Sequence, residues 1–240
     1  DAVLLETMTD LYEVKAGILA VKENSDLPVF VTMTFESHQR TLTGTDPLTF
    51  VNVVEGLKVD ALGVNCSLGP VELLPIVKTI LKYTSVPVIV QPNAGLPCLE
   101  HGHTCYPMQS DEFVEAMKEY AQLGVNIIGG CCGTTPEFIA GLKEHLPSYS
   151  QPREVLPYTA VSSAHQTVLF EGQVVVCGER LNPTGKKKLK AALKEGNYEE
   201  YVKEAIQQQR AGADILDVNV GLPGIDEKQV MVTVLKMLQE

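Results

Sequence analysis

Five short runs of aliphatic and β-branched residues, at 2–7, 29–35, 61–66, 86–93 and 125–132, predict strands, and each is followed by a stretch with helical spacing. After Ser110, Phe113, Met117, Tyr120 and Ala121 fall on one face, Asp111 and Glu112 suit the positive end of a helix, and Gly124 ends it. Asp46-Pro47 and Thr135-Pro136 repeat the signal of a cap followed by a proline at the first helical position. The strand runs are apolar along their length and do not alternate, which marks parallel strands buried on both faces. Their ends differ: Glu6-Thr7, residues 34–36, Asn65-Cys66, residues 91–93 and Cys131-Cys132 are mostly polar. Such C-terminal rims of parallel strands build shared active sites, and the pattern favours a (β/α) barrel over a doubly wound sheet.

From Pro147 the rhythm breaks into a segment with Pro147, Pro152 and Pro157 and the polar run 162–166, which predicts a linker over 149–173 between a first domain, 1–148, and a second, 174–240. The second domain is expected to have strands at 174–177 and 213–219, helices near 187–194 and 198–211, and a last helix from about 226. Five strand-helix units followed by two do not close an eight-stranded barrel in either half. The expected fold class is therefore α/β, with two (β/α)8 TIM-type barrels each only partly present, in a piece of a longer protein or one whose partner strands lie elsewhere.

The net charge of -11 leaves no basic surface for a phosphate backbone, and the only clustered cations are Lys186, Lys187 and Lys188, so nucleic acid is excluded as a partner. No apolar run approaches the roughly 20 residues that cross a bilayer, and the first residues lack the pattern of a signal peptide. No membrane partner and a cytoplasmic location are expected. Six cysteines are too few for a disulfide scaffold in so long a chain, and read better as ligands, nucleophiles or core fillers.

Zinc favours thiolates in a tetrahedral shell, and three protein ligands with one open position is its catalytic arrangement. Cys66, Cys131 and Cys132 supply that number. Adjacent side chains on a strand point to opposite faces, so a Cys-Cys pair grips one ion only where the strand ends and the backbone turns, a freedom that Gly129, Gly130 and Gly133 provide. A helix opening at Thr135-Pro136 brings its positive end towards the pair and lowers thiol pKa values. The alternative is three buried cysteines that fill a core, and their place at strand ends weighs against it. A second cluster, Cys98, His101, His103 and Cys105, has tighter spacings than zinc fingers and lies in a loop marked by Pro97 and Gly102; it is treated as incidental.

The strings Gly63-Val-Asn-Cys-Ser67, Gln91-Pro-Asn-Ala-Gly95 and Gly129-Gly-Cys-Cys-Gly-Thr-Thr-Pro136 resemble the homocysteine-binding domain shared by cobalamin-dependent methionine synthases and the betaine- and S-methylmethionine-dependent homocysteine methyltransferases. The resemblance implies that Cys66, Cys131 and Cys132 are zinc ligands and that Glu6 and Asn93 hold the amino-acid end of homocysteine. A carboxylate suits an ammonium and an amide suits a carboxylate. Without the resemblance, Glu6 reads equally as a helix-capping acid.

The second half, with Val175-Val-Cys-Gly-Glu-Arg-Leu-Asn-Pro-Thr-Gly185 and Ala211-Gly-Ala-Asp-Ile-Leu-Asp-Val-Asn-Val-Gly221, resembles the opening of the pterin-binding barrel of methionine synthases, which is similar to dihydropteroate synthase. By this resemblance Glu179, Asn182, Asp217 and Asn219 contact the pterin, though Asp217 also reads as a loop-anchoring acid. The implied reaction is methyl transfer to homocysteine with zinc, with the methyl drawn from 5-methyltetrahydrofolate through a cobalamin held by a domain outside this chain. No side chain is singled out as an acid or base catalyst. The rival readings are a homocysteine methyltransferase using betaine or S-methylmethionine, and a non-catalytic zinc- or folate-binding module.

Overall fold

Strands and helices alternate along the first half of the chain, and that order sets the tips of its parallel strands at one edge of a sheet. The computed structural model describes residues 1–100 and 102–239. It divides into two units, Asp1–Thr167 and Val168–Glu240.

In the first unit the order is β1 (Val3–Met8), α1 (Leu11–Asn24), β2 (Val29–Met33), α2 (Pro47–Gly56), β3 (Ala61–Asn65), α3 (Pro70–Tyr83), β4 (Val88–Gln91), β5 (Cys98–Glu100), β6 (His103–Cys105), α4 (Ser110–Gln122), β7 (Ile127–Ile128) and α5 (Pro136–His145). β1, β2, β3, β4 and β7 form one sheet in that order, every pair parallel. β5 and β6 make a separate antiparallel hairpin. This is the α/β architecture with a parallel sheet that the apolar strand runs predicted, and β3 is buried at every position.

Local chemistry sets the helix starts. Asp10 accepts the backbone N–H of Glu13 ahead of α1, and Asp46 accepts that of Thr49 ahead of α2, where Pro47 takes the first position. In α4 the Glu112 carboxylate accepts the Gln109 N–H, and Phe113, Met117, Tyr120 and Ala121 are buried, the face read from the sequence. Helices and sheet share one core that includes Ile18, Phe35, Phe50, Leu62, Ile76 and Phe113, each burial contributing roughly 1.5–3 kcal/mol. Gly63 in β3 is required by close packing, because a Cβ there would collide with the carbonyl of Ile89 in β4.

β4 and β7 are each no more than half the expected length, for physical reasons. β4 is flanked by Pro87 and Pro92, which have no N–H for a ladder. β7 stops at Ile128 because the Cys131 N–H turns back to the Pro92 carbonyl at 2.8 Å.

Much of the 149–173 segment, expected as a linker, lies along the first unit. The Arg153 guanidinium donates to the carbonyls of Thr84, Val86 and Gly124 and to Asn126 Oδ1. The Leu156 N–H reaches the Lys82 carbonyl, and Asn52 Nδ2 donates to Ser162 Oγ. β8 (Ala160–Ser162) and β9 (Thr167–Leu169) form a short two-stranded sheet.

The second unit consists of β10 (Cys177–Leu181), α6 (Lys187–Glu195), α7 (Glu199–Arg210), β11 (Ile215–Val218) and α8 (Glu227–Gln239). β10 and β11 pair in parallel around a core of Leu181, Leu189, Leu193, Tyr201, Val230 and Val234. β10 lies later than the run 174–177, because its partner β11 starts at Ile215, which pairs with Cys177. Val174 is left 90% exposed. Among the described residues no helix is long and apolar enough to cross a membrane.

Candidate metal centre

β3 ends at Asn65, and the next two residues, Cys66 and Ser67, take left-handed backbone angles with φ of 63° and 59°. Neither is glycine, so the sharp turn at this strand tip is strained and must be held by its surroundings. The Cys66 N–H donates to the Gln91 carbonyl at 3.0 Å, and the Asn93 N–H to the Leu68 carbonyl at 3.0 Å, which binds the tip of β3 to that of β4.

The Cys131-Cys132 pair is fixed to the same β4 tip. Beyond the Cys131 bond to Pro92, the Ala94 N–H donates to the Cys132 carbonyl at 2.9 Å, and the Cys132 N–H to Asn93 Oδ1 at 3.1 Å. Thr134 Oγ1 donates to the Cys131 carbonyl at 2.7 Å, and Gly133 completes the turn with φ of 81°. The backbone therefore leaves the strand at the pair, and both side chains face Cys66.

The three sulfurs lie within 4.8 Å of one another. Cys66 Sγ is 3.8 Å from Cys132 Sγ, which is 4.0 Å from Cys131 Sγ. Zinc–sulfur bonds of about 2.3 Å in a tetrahedron set sulfurs about 3.8 Å apart, so this donor set fits a thiolate-bound zinc ion. Cys132 is exposed and the other two are partly buried, so the cluster is open on one side.

The two neighbouring thiols are electrostatically unlike. Burial, and then the charge of Cys66, push the Cys131 thiol up to about 12. Burial also opposes the Cys132 thiolate, but hydrogen bonds from Tyr106, Cys66 and Cys131 outweigh it, and the net shift is downward. The Tyr106 hydroxyl is pushed up by that same bond with Cys132 and by burial. Its ring packs on Gly133, where a Cβ would collide with it.

Of the residues read from the sequence, Cys66, Cys131, Cys132 and Asn93 come together. Asn93 is 2% exposed. Glu6 is exposed on β1, in the stretch where the β1–β2 register shifts between Leu5 and Met8. In the second unit Asn182 Nδ2 donates to Glu179 Oε1 at 2.6 Å, and Asn219 Oδ1 accepts the Gly221 N–H at 2.7 Å. Asp217 is exposed on β11. Sequence reasoning did not single out Tyr106 or the side chain of Asn65. Asn65 immediately precedes a proposed ligand, and that adjacency was the available signal; Tyr106 carried none.

The second cysteine cluster, treated above as incidental to metal binding, contains a disulfide between Cys98 and Cys105, so these two are not the ligands, nucleophiles or core fillers expected of the cysteines in general. They are directly opposed in the β5–β6 hairpin, which brings their sulfurs together and leaves neither as a thiolate for a metal. His103 is exposed, and His101 lies outside the described residues.

Residues 1–146 match the family model described as homocysteine S-methyltransferase. The chain is 34% identical over 235 residues to the methionine synthase of Mycobacterium tuberculosis, and 35% identical over 238 residues to that of Mycobacterium leprae. These alignments cover 94% and 93% of the chain but 20% of each relative, so the chain spans about a fifth of their length. A crystal structure of the homocysteine methyltransferase MmuM from Escherichia coli, in its oxidized form, has a similar fold, with a TM-score of 0.50 at 23% identity over 60% of this chain and 45% of that one. The model spans more than half of the chain and includes all three clustered cysteines, and the chain belongs to the homocysteine S-methyltransferase family.

Proposed function

We propose that this chain is the homocysteine-activating part, with the start of the folate-binding part, of a cobalamin-dependent methionine synthase. In this reading it binds homocysteine as a zinc thiolate, and the sulfur accepts a methyl group to give methionine. The observation that carries it is the convergence of three sulfurs from two strand tips at tetrahedral spacings.

Zinc held by Cys66, Cys131 and Cys132 would supply the Lewis acidity that keeps the substrate sulfur deprotonated, where a free thiol with a pKa near 8.5 is mostly protonated at neutral pH. The residues around it bind and orient. Asn93 uses its oxygen on the Cys132 N–H, which leaves its amide N–H groups as donors for the substrate carboxylate. Glu6 is the partner for the ammonium. A shift of about two pKa units corresponds to only about 2.7 kcal/mol, so placing the methyl donor in line must supply much of the acceleration.

The wider reading rests on the alignments to methionine synthases, which continue past residue 146 through most of the second unit. Each half is then part of a (β/α)8 barrel, 1–148 for homocysteine and 174–240 for the pterin of 5-methyltetrahydrofolate, joined through 149–173. Glu179, Asn182, Asp217 and Asn219 are the pterin contacts. Cobalamin is carried by a domain outside this chain, and the setting is cytoplasmic.

The test is zinc content and homocysteine-dependent demethylation of methylcobalamin in the intact protein, with and without Cys66→Ser. Loss of both zinc and demethylation is expected. Undiminished activity in the variant would remove the cysteine site from the reaction.

A further inference from the structure

Asn65 closes β3 and is 1% exposed. Its Oδ1 accepts the Thr7 backbone N–H at 2.9 Å and the Thr32 hydroxyl at 2.8 Å. Its Nδ2 donates to Thr7 Oγ1 at 2.7 Å and lies 3.9 Å from Cys131 Sγ, its second acceptor. An amide has two N–H donors and one oxygen with two lone pairs, so every capacity of this side chain is engaged. Reversing the amide would set donor against donor at Thr7 N–H, and one orientation is therefore fixed.

The two edges of that amide meet different parts of the site. One edge holds Thr7, a β-branched residue in the left-handed region with φ of 58°, at the point where the β1–β2 register shifts. Such a conformation is strained and persists only when neighbours impose it. The paired bonds to Asn65 are what impose it here, and Glu6 is the adjacent residue. The other edge donates to a sulfur of the metal cluster, and groups that hydrogen-bond a metal ligand orient it and tune its basicity.

We infer that Asn65 is a positioning residue that couples the two ends of the homocysteine site, holding the Glu6–Thr7 bulge on one side and Cys131 on the other. The inference rests on the reading above, in which Glu6 meets the substrate ammonium and Cys131 ligates zinc. The bland alternative is a buried amide that only ties β1, β2 and β3 together.

The intact protein decides between them, with Asn65→Ala, Thr7→Ala, Thr7→Ser and the double alanine variant. Two readouts are taken: homocysteine affinity of the zinc form by calorimetry, and the thiolate-to-metal charge-transfer band after cobalt(II) substitution. Asn65→Ala is expected to weaken homocysteine binding roughly 10- to 100-fold and to shift the cobalt band. Thr7→Ala is expected to weaken binding about fivefold and to shift the same band, although Thr7 touches no sulfur, while Thr7→Ser retains near wild-type behaviour. The double variant is expected to bind no more weakly than Asn65→Ala, because both changes sever one connection. A cobalt band unmoved in Thr7→Ala overturns the coupling, even if Asn65→Ala does not fold. So do additive losses in the double variant. Wild-type protein that takes up zinc but no homocysteine overturns the functional reading and the coupling with it; failure confined to the variants overturns the coupling alone.

Discussion

Asn93 Oδ1 accepts the backbone N–H of Cys132 at 3.1 Å, so a buried amide at the tip of β4 fixes a cysteine of the sulfur cluster carried beyond the end of β7. One side chain thereby helps set the geometry of the cysteine pair, and its N–H groups are the donors that the proposed function assigns to the substrate carboxylate.

Asn93→Ala is expected to leave the Cys132 N–H without its acceptor, a loss of about 1–3 kcal/mol, and to remove the donors for the substrate carboxylate. Asn93→Asp keeps an acceptor for Cys132 but repels that carboxylate. Calorimetry should find zinc retained in Asn93→Asp with homocysteine binding at least tenfold weaker, the tenfold corresponding to about 1.4 kcal/mol. Equal homocysteine affinity in Asn93→Asp and wild type would exclude a carboxylate contact.

The metal-free protein should lose stability as pH rises above about 9. The Cys131 thiol is raised in the folded state from its ordinary 9.0 to about 12, by burial first. Folding therefore favours its protonated form. Stability is fully present below the unfolded value and is lost as pH climbs from about 9 towards 12. Cys132, lowered on folding, acts with the opposite sign: its contribution is present above the unfolded value and is lost as pH falls through the folded one. Denaturant midpoints measured against pH should therefore decline on the alkaline side, and Cys131→Ser should flatten that decline.

Arg153→Ala should destabilise the first unit by about 2–3 kcal/mol, since charge-assisted bonds to the carbonyls of Thr84, Val86 and Gly124 disappear together. Those carbonyls lie ahead of β4 and β7, away from the strand tips that carry the sulfurs. Chemical denaturation should show the loss while zinc content is unchanged. A variant as stable as wild type would mean that the segment is only loosely laid on the unit.

Gly63→Ala should be more damaging than its size suggests. The added Cβ meets the Ile89 carbonyl, backbone that cannot swing away, so β3 and β4 must separate. Overpacking of this kind costs about 1–3 kcal/mol or more. Because Cys66 follows β3 by one residue, zinc content should fall along with the denaturation midpoint.

The parallel sheet and the sulfur cluster were legible because both follow from short-range pattern. Apolar strand runs with polar tips force the ends of β3, β4 and β7 to one edge, and Cys66 and the Cys131-Cys132 pair sit on two of those ends. What sequence did not reveal depends on tertiary partners. Thr7 takes a left-handed angle only because Asn65 lies opposite it. Arg153 stands among prolines that read as a linker, and its carbonyl partners are 29 to 69 residues away. Cys98 and Cys105 are seven residues apart, a spacing that became a covalent link only once β5 paired with β6.

That hairpin bears on how the protein is handled. Tyr106 follows Cys105 directly and leans on the turn that presents Cys132. A thiol reagent added to keep the three clustered sulfurs reduced also attacks the Cys98–Cys105 bond by exchange, taking the disulfide onto itself. Samples prepared with and without reductant are therefore two covalent species that differ one residue from an aromatic ring at the candidate metal centre, and their zinc affinities belong in separate columns.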